Sequence, residues 1–473
     1  MKPALALILC CPLIIWLWKR DQRGRLPSSK ALWVPLFWLL VLGSRPISWW
    51  LGIGGSSGVS DSDLEGNAFD RILYLVQVFL AICIVARRNI DWMAIVRENK
   101  ALVLFFLFLL ATVLWAEYPF VVFRRWFKEI GGVFVILVLL AEVNPLDAIK
   151  TTFARCAYIL FPLSIVFMKY FPSIGKAYSK GGLPMITGVT DQKNSLGVLI
   201  LVLGLVLIST LFAGEIREEA PLTKGRRLAI ALTLTMGLLL LFLSDSKTSQ
   251  ICLALGTMIV LGHRLPWLKQ SPRRVLILCI AVLPLCLLAD NLFNISDTFL
   301  RLIHRTPTLT ERTQIWQAIK ENPVNPITGA GYMMYWDLHK GLTIDQKFYD
   351  IKSAHNGYLE TYLDGGILGL STLAILLLSV GWRSGREFLR GTEYGRLRFA
   401  FFVVLLLHNI SEASFARRSL LWFAFLLFSI DVRQWPFMPR SVIREEIPIA
   451  DTPVPVSQVP SAEWPRVCKV TSA

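Results

Sequence analysis

Charge is scarce in this chain. Aspartate, glutamate, lysine and arginine make up 17% of its 473 residues, against 54% hydrophobic residues. That composition excludes an ordinary soluble domain. Acid is scarcer than base, 33 residues against 49, for a formal charge of +16, and there are only five histidines. Of eight cysteines, Cys10, Cys11, Cys83, Cys156, Cys252, Cys279 and Cys286 fall in or at the ends of apolar runs, and Cys468 is near the C-terminus. None stands in the one long polar stretch, which excludes a disulfide framework and a cysteine metal site. Heptads and internal repeats are absent too.

What is present is a series of apolar runs of roughly 16–20 residues, each about long enough to cross a bilayer as a helix. In lipid the backbone must satisfy its own hydrogen bonds, so the expected fold is all-α, a polytopic transmembrane bundle of about 12–13 helices. The runs lie near 3–18, 31–51, 71–86, 101–116, 129–142, 153–168, 195–213, 228–243, 250–262, 275–289, 366–382, 399–412 and 419–432. The first lacks a small-residue cleavage signature and is not read as a removable signal peptide. Lys and Arg clusters follow the first, third, seventh, ninth and eleventh runs, all on one side by alternation. The positive-inside rule puts that side in the cytoplasm and the N-terminus outside. The net charge therefore points to anionic lipid and membrane orientation, not to nucleic acid. The expected division is 1–289 with ten helices, 290–365 as a large outside loop, 366–434 with three more helices, and 435–473 as a Pro-rich, disordered cytoplasmic tail.

Some cations stand on the side where orientation disfavours them. Arg124, Arg125 and Lys128 lie between the fourth and fifth runs, Lys176, Lys180 and Lys193 between the sixth and seventh, Lys247 between the eighth and ninth, and Arg312 in the long loop. Scattered surface charge or headgroup binding is the plain explanation for those taken singly. Lys193, Lys247 and Arg312 sit in compact polar motifs, where a lipid-linked phosphate or diphosphate is the fitting ligand. Thr190-Asp191-Gln192-Lys193-Asn194-Ser195 directly precedes a helix, whose N-terminus favours anions.

The long polar stretch is the chemical centre of the sequence. Glu311–Lys320 is helix-forming and ends at Asn322-Pro323, with Arg312, Ile315 and Trp316 on one face. Gly329 and Gly331 suit a tight backbone excursion. His355 and Asn356 precede another helix, expected over 356–363, that leads through Asp364-Gly365-Gly366 into the eleventh run. A lone histidine is more often structural than catalytic. His355, in a polar cluster with Asn356 and Glu360, is suited to take a proton from a hydroxyl near neutral pH. His304, His339 and His355 lack metal-ligand spacing, so no metal is expected.

Taken in order, these motifs resemble the O-antigen ligase and polymerase superfamily of bacterial envelope glycosyltransferases, over roughly residues 185–385. The carriers are Thr190–Gly197, Ser244–Ser249, Arg312 with Trp316, Asn322-Pro323, Gly329-x-Gly331, and His355-Asn356 with Tyr358-Leu359. The resemblance implies a multi-pass inner-membrane enzyme acting on the periplasmic side by metal-independent, inverting transfer without a cofactor. A glycan would pass from undecaprenyl diphosphate to a sugar hydroxyl of an acceptor glycan or of lipid A-core. His355 would be general base or acceptor-orienting residue, and Arg312 would hold the departing diphosphate. Lys193, Asn194, Lys247, Arg124, Arg125 and Asn356 complete the expected substrate site. Lys247 stands where the family commonly has Arg, a point charge in place of a fork. The competing function is a multi-pass transporter of a small solute or lipid-linked sugar. It would call for ionisable residues near the helix midpoints, where this chain has almost none.

Overall fold

The computed structural model describes residues 3–22, 29–53, 67–178, 182, 184–212, 222–264, 310–339 and 353–431. Its α-helices are α1 (Pro3–Gln22), α2 (Trp33–Leu42), α3 (Ile47–Trp50), α4 (Ala68–Ala86), α5 (Trp92–Glu98), α6 (Lys100–Ala111), α7 (Pro119–Leu140), α8 (Pro145–Tyr170), α9 (Pro172–Gly175), α10 (Lys193–Phe212), α11 (Lys224–Ser244), α12 (Lys247–Leu261), α13 (Thr310–Glu321), α14 (Tyr335–Leu338), α15 (Gly357–Leu389), α16 (Glu393–Ser411) and α17 (Leu420–Ser429). Among the described residues the sole sheet is a hairpin of β1 (Lys176–Tyr178) and β2 (Pro184–Ile186), antiparallel with Lys176 opposite Ile186. Helices α1, α4, α8, α10, α11 and α15 are long and apolar enough to cross a membrane. The chain is an all-α, polytopic membrane protein.

Two expected boundaries move. The second run is not one helix: α2 stops at Leu42, because Gly43 and Pro46 break it, and Ser44 Oγ donates back to the Leu40 carbonyl at 2.7 Å. The fifth helix begins early. Pro119 opens α7 with its ring-fixed backbone angle, so Arg124, Arg125 and Lys128 ride on the helix rather than in a loop. The helix expected over 356–363 starts at Gly357, and the break before the eleventh run falls at Gly366. The tenth run (275–289), Lys180, His304 and the tail from 435 lie outside the described residues.

Position in the bundle follows composition. Helix α10 is apolar on all sides and buried from Leu196 through Thr210 save Val198. It packs against α8, α11, α12, α16 and α17. A helix without a polar face belongs in the centre. Helix α4 is peripheral and leaves Ile72, Leu75, Val76 and Phe79 exposed. Such an apolar face is what a lipid boundary accepts.

Charge sorts the two ends. At one end Lys150 Nζ meets Glu393 Oε2 at 2.7 Å, and Ser209 Oγ donates to Glu393 Oε1 at 2.6 Å. Arg226 meets Asp21 at 3.3 Å, Arg88 meets Glu142, Arg264 donates to the Phe212 carbonyl, and Arg383 donates to Asn99 Oδ1 at 3.1 Å. Among the described residues, Arg88, Arg226, Arg264 and Arg383, from the basic clusters after the third, seventh, ninth and eleventh runs, thus gather at this basic end. The opposite end holds different chemistry.

Candidate functional site

The opposite end is built around a backbone crossing. At Gly366 α15 takes φ 58° and ψ −155°, a combination open essentially to glycine. The segment 326–331 passes through this break. Ile367 and Leu368 donate to the carbonyls of Pro326 and Ile327 at 2.8 and 3.1 Å, while Ala330 and Gly331 donate to Leu363 and Asp364 at 2.9 Å each. A Cβ on Gly366 would fall 2.4 Å from the Ile327 carbonyl, and one on Gly329 2.4 Å from the Gly365 nitrogen. The tight excursion expected at Gly329 is therefore a clasp around a broken helix. Trp115 Nε1, donating to the Thr328 carbonyl at 3.0 Å, pins it to the end of α6.

Behind the clasp lies a closed polar network. Arg417 Nη2 meets Glu360 Oε2 at 2.7 Å and Asp364 Oδ2 at 3.3 Å. Trp336 Nε1 donates to Glu360 Oε2 at 2.9 Å and the Ala354 amide to Glu360 Oε1 at 2.7 Å. The Glu360 side chain is 3% exposed. Arg125 pairs with Asp337 and donates to the Met333 carbonyl, which ties α7 to α14. Burial and the nearby Glu360 charge push the Tyr335 phenol up to about 12, so it stays a neutral donor, here to the Asn322 carbonyl at 3.1 Å.

In front of it three of the expected residues meet on one carboxylate, that of Glu412, just past the end of α16. Asn194 Nδ2 donates to Glu412 Oε1 at 2.8 Å, Arg312 Nη2 reaches the same oxygen at 3.3 Å, and His355 Nδ1 lies 3.3 Å from Oε2. Each comes from a different part of the chain. Asn194 is in the first turn of α10, and Arg312 is on α13. His355 is held at the mouth of α15, where Asn356 Oδ1 caps the helix by accepting from the Tyr358 and Leu359 amides at 3.0 Å each. Trp316 Nε1 donates to the Ala354 carbonyl at 2.9 Å, so α13 carries Arg312 and also steadies the residue before His355. His355 itself sits at φ 49°, left-handed backbone that a non-glycine residue occupies at a cost of about 1–3 kcal/mol. Its amide donates to Ser353 Oγ at 3.1 Å. The cluster is open: the side chains of Glu412, Arg312 and His355 are 14%, 24% and 37% exposed.

The other expected residues make contacts of their own. Lys193 is half-buried beside Asn194. Lys247 opens α12 and pairs with Asp245 at 2.8 Å, both about half exposed. Its neighbour Thr248 shares a 2.8 Å hydroxyl contact with Ser411, next to Glu412. Arg124 stacks over Phe120 at 4.8 Å. Sequence reasoning passed over Glu412 and Arg417, and placed Glu360 only as a polar neighbour of His355. One signal was available: His408-Asn409-Ile410-Ser411-Glu412 ends the twelfth apolar run in an almost wholly polar stretch. Among the described residues no three His, Cys, Asp or Glu side chains gather into a metal-binding group.

The family described as O-Antigen ligase matches residues 231–374. That span contains Lys247, Arg312, His355 and Asn356. The chain is also 25% identical over 285 residues to the exopolysaccharide production protein ExoQ of Rhizobium meliloti (strain 1021), a match covering 58% of this chain and 62% of the relative. Both matches support a kinship with the O-antigen ligase and polymerase superfamily. The match to ExoQ spans less than two thirds of that protein's length. Asn194 and Glu412 lie outside the matched O-antigen ligase span, although they meet Arg312 and His355 from inside it.

Proposed function

We propose that this protein is a glycosyltransferase of the bacterial cytoplasmic membrane. It moves a glycan from undecaprenyl diphosphate to an acceptor sugar hydroxyl on the periplasmic side. The observation that carries the reading is the convergence of a guanidinium, an imidazole and an amide on one half-open carboxylate, at the end of the bundle opposite the basic clusters. In this reading residues 290–365 form the catalytic loop and the helices on either side hold it.

The steps follow from what each group does. Arg312 neutralises the diphosphate as the bond from the anomeric carbon to the phosphate oxygen breaks, and the electron pair leaves with the carrier. The acceptor oxygen attacks the anomeric carbon from the opposite face, which inverts it. His355 takes the hydroxyl proton. Lys193, Lys247, Arg124 and Arg125 add fixed positive charge around the donor path, Asn194 and Asn356 order the site, and fixed cations take the place of a divalent ion. The name of the exopolysaccharide relative favours a growing polysaccharide as acceptor over lipid A-core.

Two measurements test this. Purified full-length protein, given carrier-linked glycan extracted from membranes of a deletion strain, should lengthen or transfer the glycan in excess chelator. Activity that vanishes with chelator and returns with magnesium would sink the role given to the fixed cations. Sizing the surface polysaccharide and the lipopolysaccharide of the deletion strain separately decides the acceptor. Shortened exopolysaccharide with intact lipopolysaccharide supports the polymerase branch, and the reverse overturns it.

A further inference from the structure

We infer that Glu412 is a positioning residue for the transfer: it fixes the tautomer of His355 and serves as the resting partner that Arg312 leaves when the carrier diphosphate arrives. This rests on the roles proposed above for His355 and Arg312. A carboxylate accepts hydrogen bonds and donates none. With Glu412 Oε2 at 3.3 Å, Nδ1 of His355 is therefore the protonated nitrogen, and Nε2 keeps the lone pair that takes the acceptor proton. The carboxylate is well anchored for this work. The Glu412 amide donates to the His408 carbonyl at 2.9 Å, and its carbonyl accepts from the Gly357 amide at 3.0 Å, next to the cap of α15.

The contact with Arg312 has a different character. It is a single prong at 3.3 Å on an oxygen already taken by Asn194, not a two-pronged fork. A diphosphate offers more charge and several acceptor oxygens, so it draws the guanidinium away. Glu412 then loses its cationic partner, and its charge is left to His355. A carboxylate beside an imidazole favours the protonated ring. The imidazolium formed in the transfer is flanked by the carboxylate. The other charged groups near the histidine segment are Glu360, bonded to the Ala354 amide, and Arg417, which is committed to Glu360 and Asp364. Among the described residues, Lys193 stands next to Asn194 in α10, and His408, one turn before Glu412, interacts with its charge.

Glu412→Gln separates these roles, because its amide can donate to Nδ1 and flip the tautomer. In full-length protein assayed with extracted carrier-linked glycan, the variant should still bind undecaprenyl diphosphate within a few-fold. Its kcat should fall about 10²-fold or more, since a triad histidine held in the wrong tautomer costs up to about 10⁴-fold. The acid limb of kcat against pH should move to lower pH, because the ring has lost its anionic neighbour. A role confined to packing would leave that limb in place. Unchanged kcat with an unmoved limb overturns the inference. If Glu412→Gln does not reach the membrane, the wild type supplies the answer by nitrogen NMR of labelled histidine, with the His355 signal assigned from its loss in His355→Gln. A proton on Nδ1 with bare Nε2 supports the inference, and a proton on Nε2 overturns it. Wild-type protein that transfers nothing would sink the glycosyltransferase reading. An active wild type whose limb does not move in Glu412→Gln would sink this inference alone.

Discussion

Two glutamates at one end of this molecule each hold an arginine from a distant segment, and they are not alike. Glu360 is 3% exposed, pairs with Arg417 at 2.7 Å, and spends its remaining capacity on Trp336 and the Ala354 amide. Glu412 is 14% exposed and shares its two oxygens among Asn194, Arg312 and His355, the last two at 3.3 Å. The first is a lock. Its carboxylate is out of water with both oxygens engaged, and removing it would strand Arg417, the Trp336 indole and the Ala354 amide. The second is a loose assembly whose arginine is partly exposed and, in the proposed transfer, has a diphosphate to go to. Burial and saturation, more than the presence of charge, distinguish the group that holds the fold from the group that works.

The largest expected effect separates the two by activity. His355→Ala should lower kcat by about 10²–10⁴-fold, the range for losing a proton-transfer group. Thermal stability in detergent should stay as in the wild type, because the side chain is 37% exposed and makes one long contact. Full transfer by His355→Ala would remove the chemical distinction drawn above.

Glu360→Ala should do the reverse. It leaves Arg417 beside Asp364 alone and takes away the acceptor for the Trp336 indole and the Ala354 amide. Breaking one partner out of a buried pair costs about 3–5 kcal/mol. The measurement is the unfolding midpoint of purified protein, alongside the amount that reaches the membrane. A variant as stable as wild type would mean that Glu360 is no lock.

Gly366→Ala tests the clasp on which both glutamates depend. The backbone at 366 is in a region costing about 1–3 kcal/mol for a residue with a side chain, and the added carbon would press on the Ile327 carbonyl at 2.4 Å. Stability should drop, and with it the seating of Ala354 and His355 at the mouth of α15. An unchanged midpoint and unchanged turnover would show that the crossing is easily deformed.

How much of this was legible before the fold was known depends on range along the chain. Helices α4, α10 and α11 follow from apolar composition, which is local, and their ends fall within a few residues of the expected ones. Arg312, His355 and Asn356 stood out because polar residues are rare in an apolar chain. Gly329 and Gly331 announced a tight turn. Glu412 did not stand out, because its partners lie 218, 100 and 57 residues away. No spacing rule connects positions that far apart. The placement of Arg124 and Arg125 failed for a different reason. The start of α7 mixes arginines with aromatic residues, which lowers its hydropathy, so a helix opening at Pro119 reads as a loop until Asp337 and Phe120 are seen to receive those arginines.

The smallest effect concerns Lys247, and it sharpens the comparison from outside the cluster. Lys247 pairs with Asp245 at 2.8 Å, but both side chains are about half exposed. An ion pair in that setting contributes roughly 0–1 kcal/mol. Lys247→Arg keeps the charge, can still reach Asp245, and restores the residue common at this point of the superfamily motif. Stability should therefore stay within about 0.5 kcal/mol of wild type, and turnover within a few-fold. Lys247→Ala is the informative companion. If the ammonium only pairs with Asp245, the alanine variant should match the arginine one in both measurements. If it faces the carrier diphosphate, the alanine variant should raise the KM for carrier-linked glycan while the midpoint stays put, and the effect should shrink as salt is added, because an exposed charge is screened. An arginine variant as damaged as the alanine one would contradict both readings, since it would make the shape of the lysine, not its charge, the property that matters.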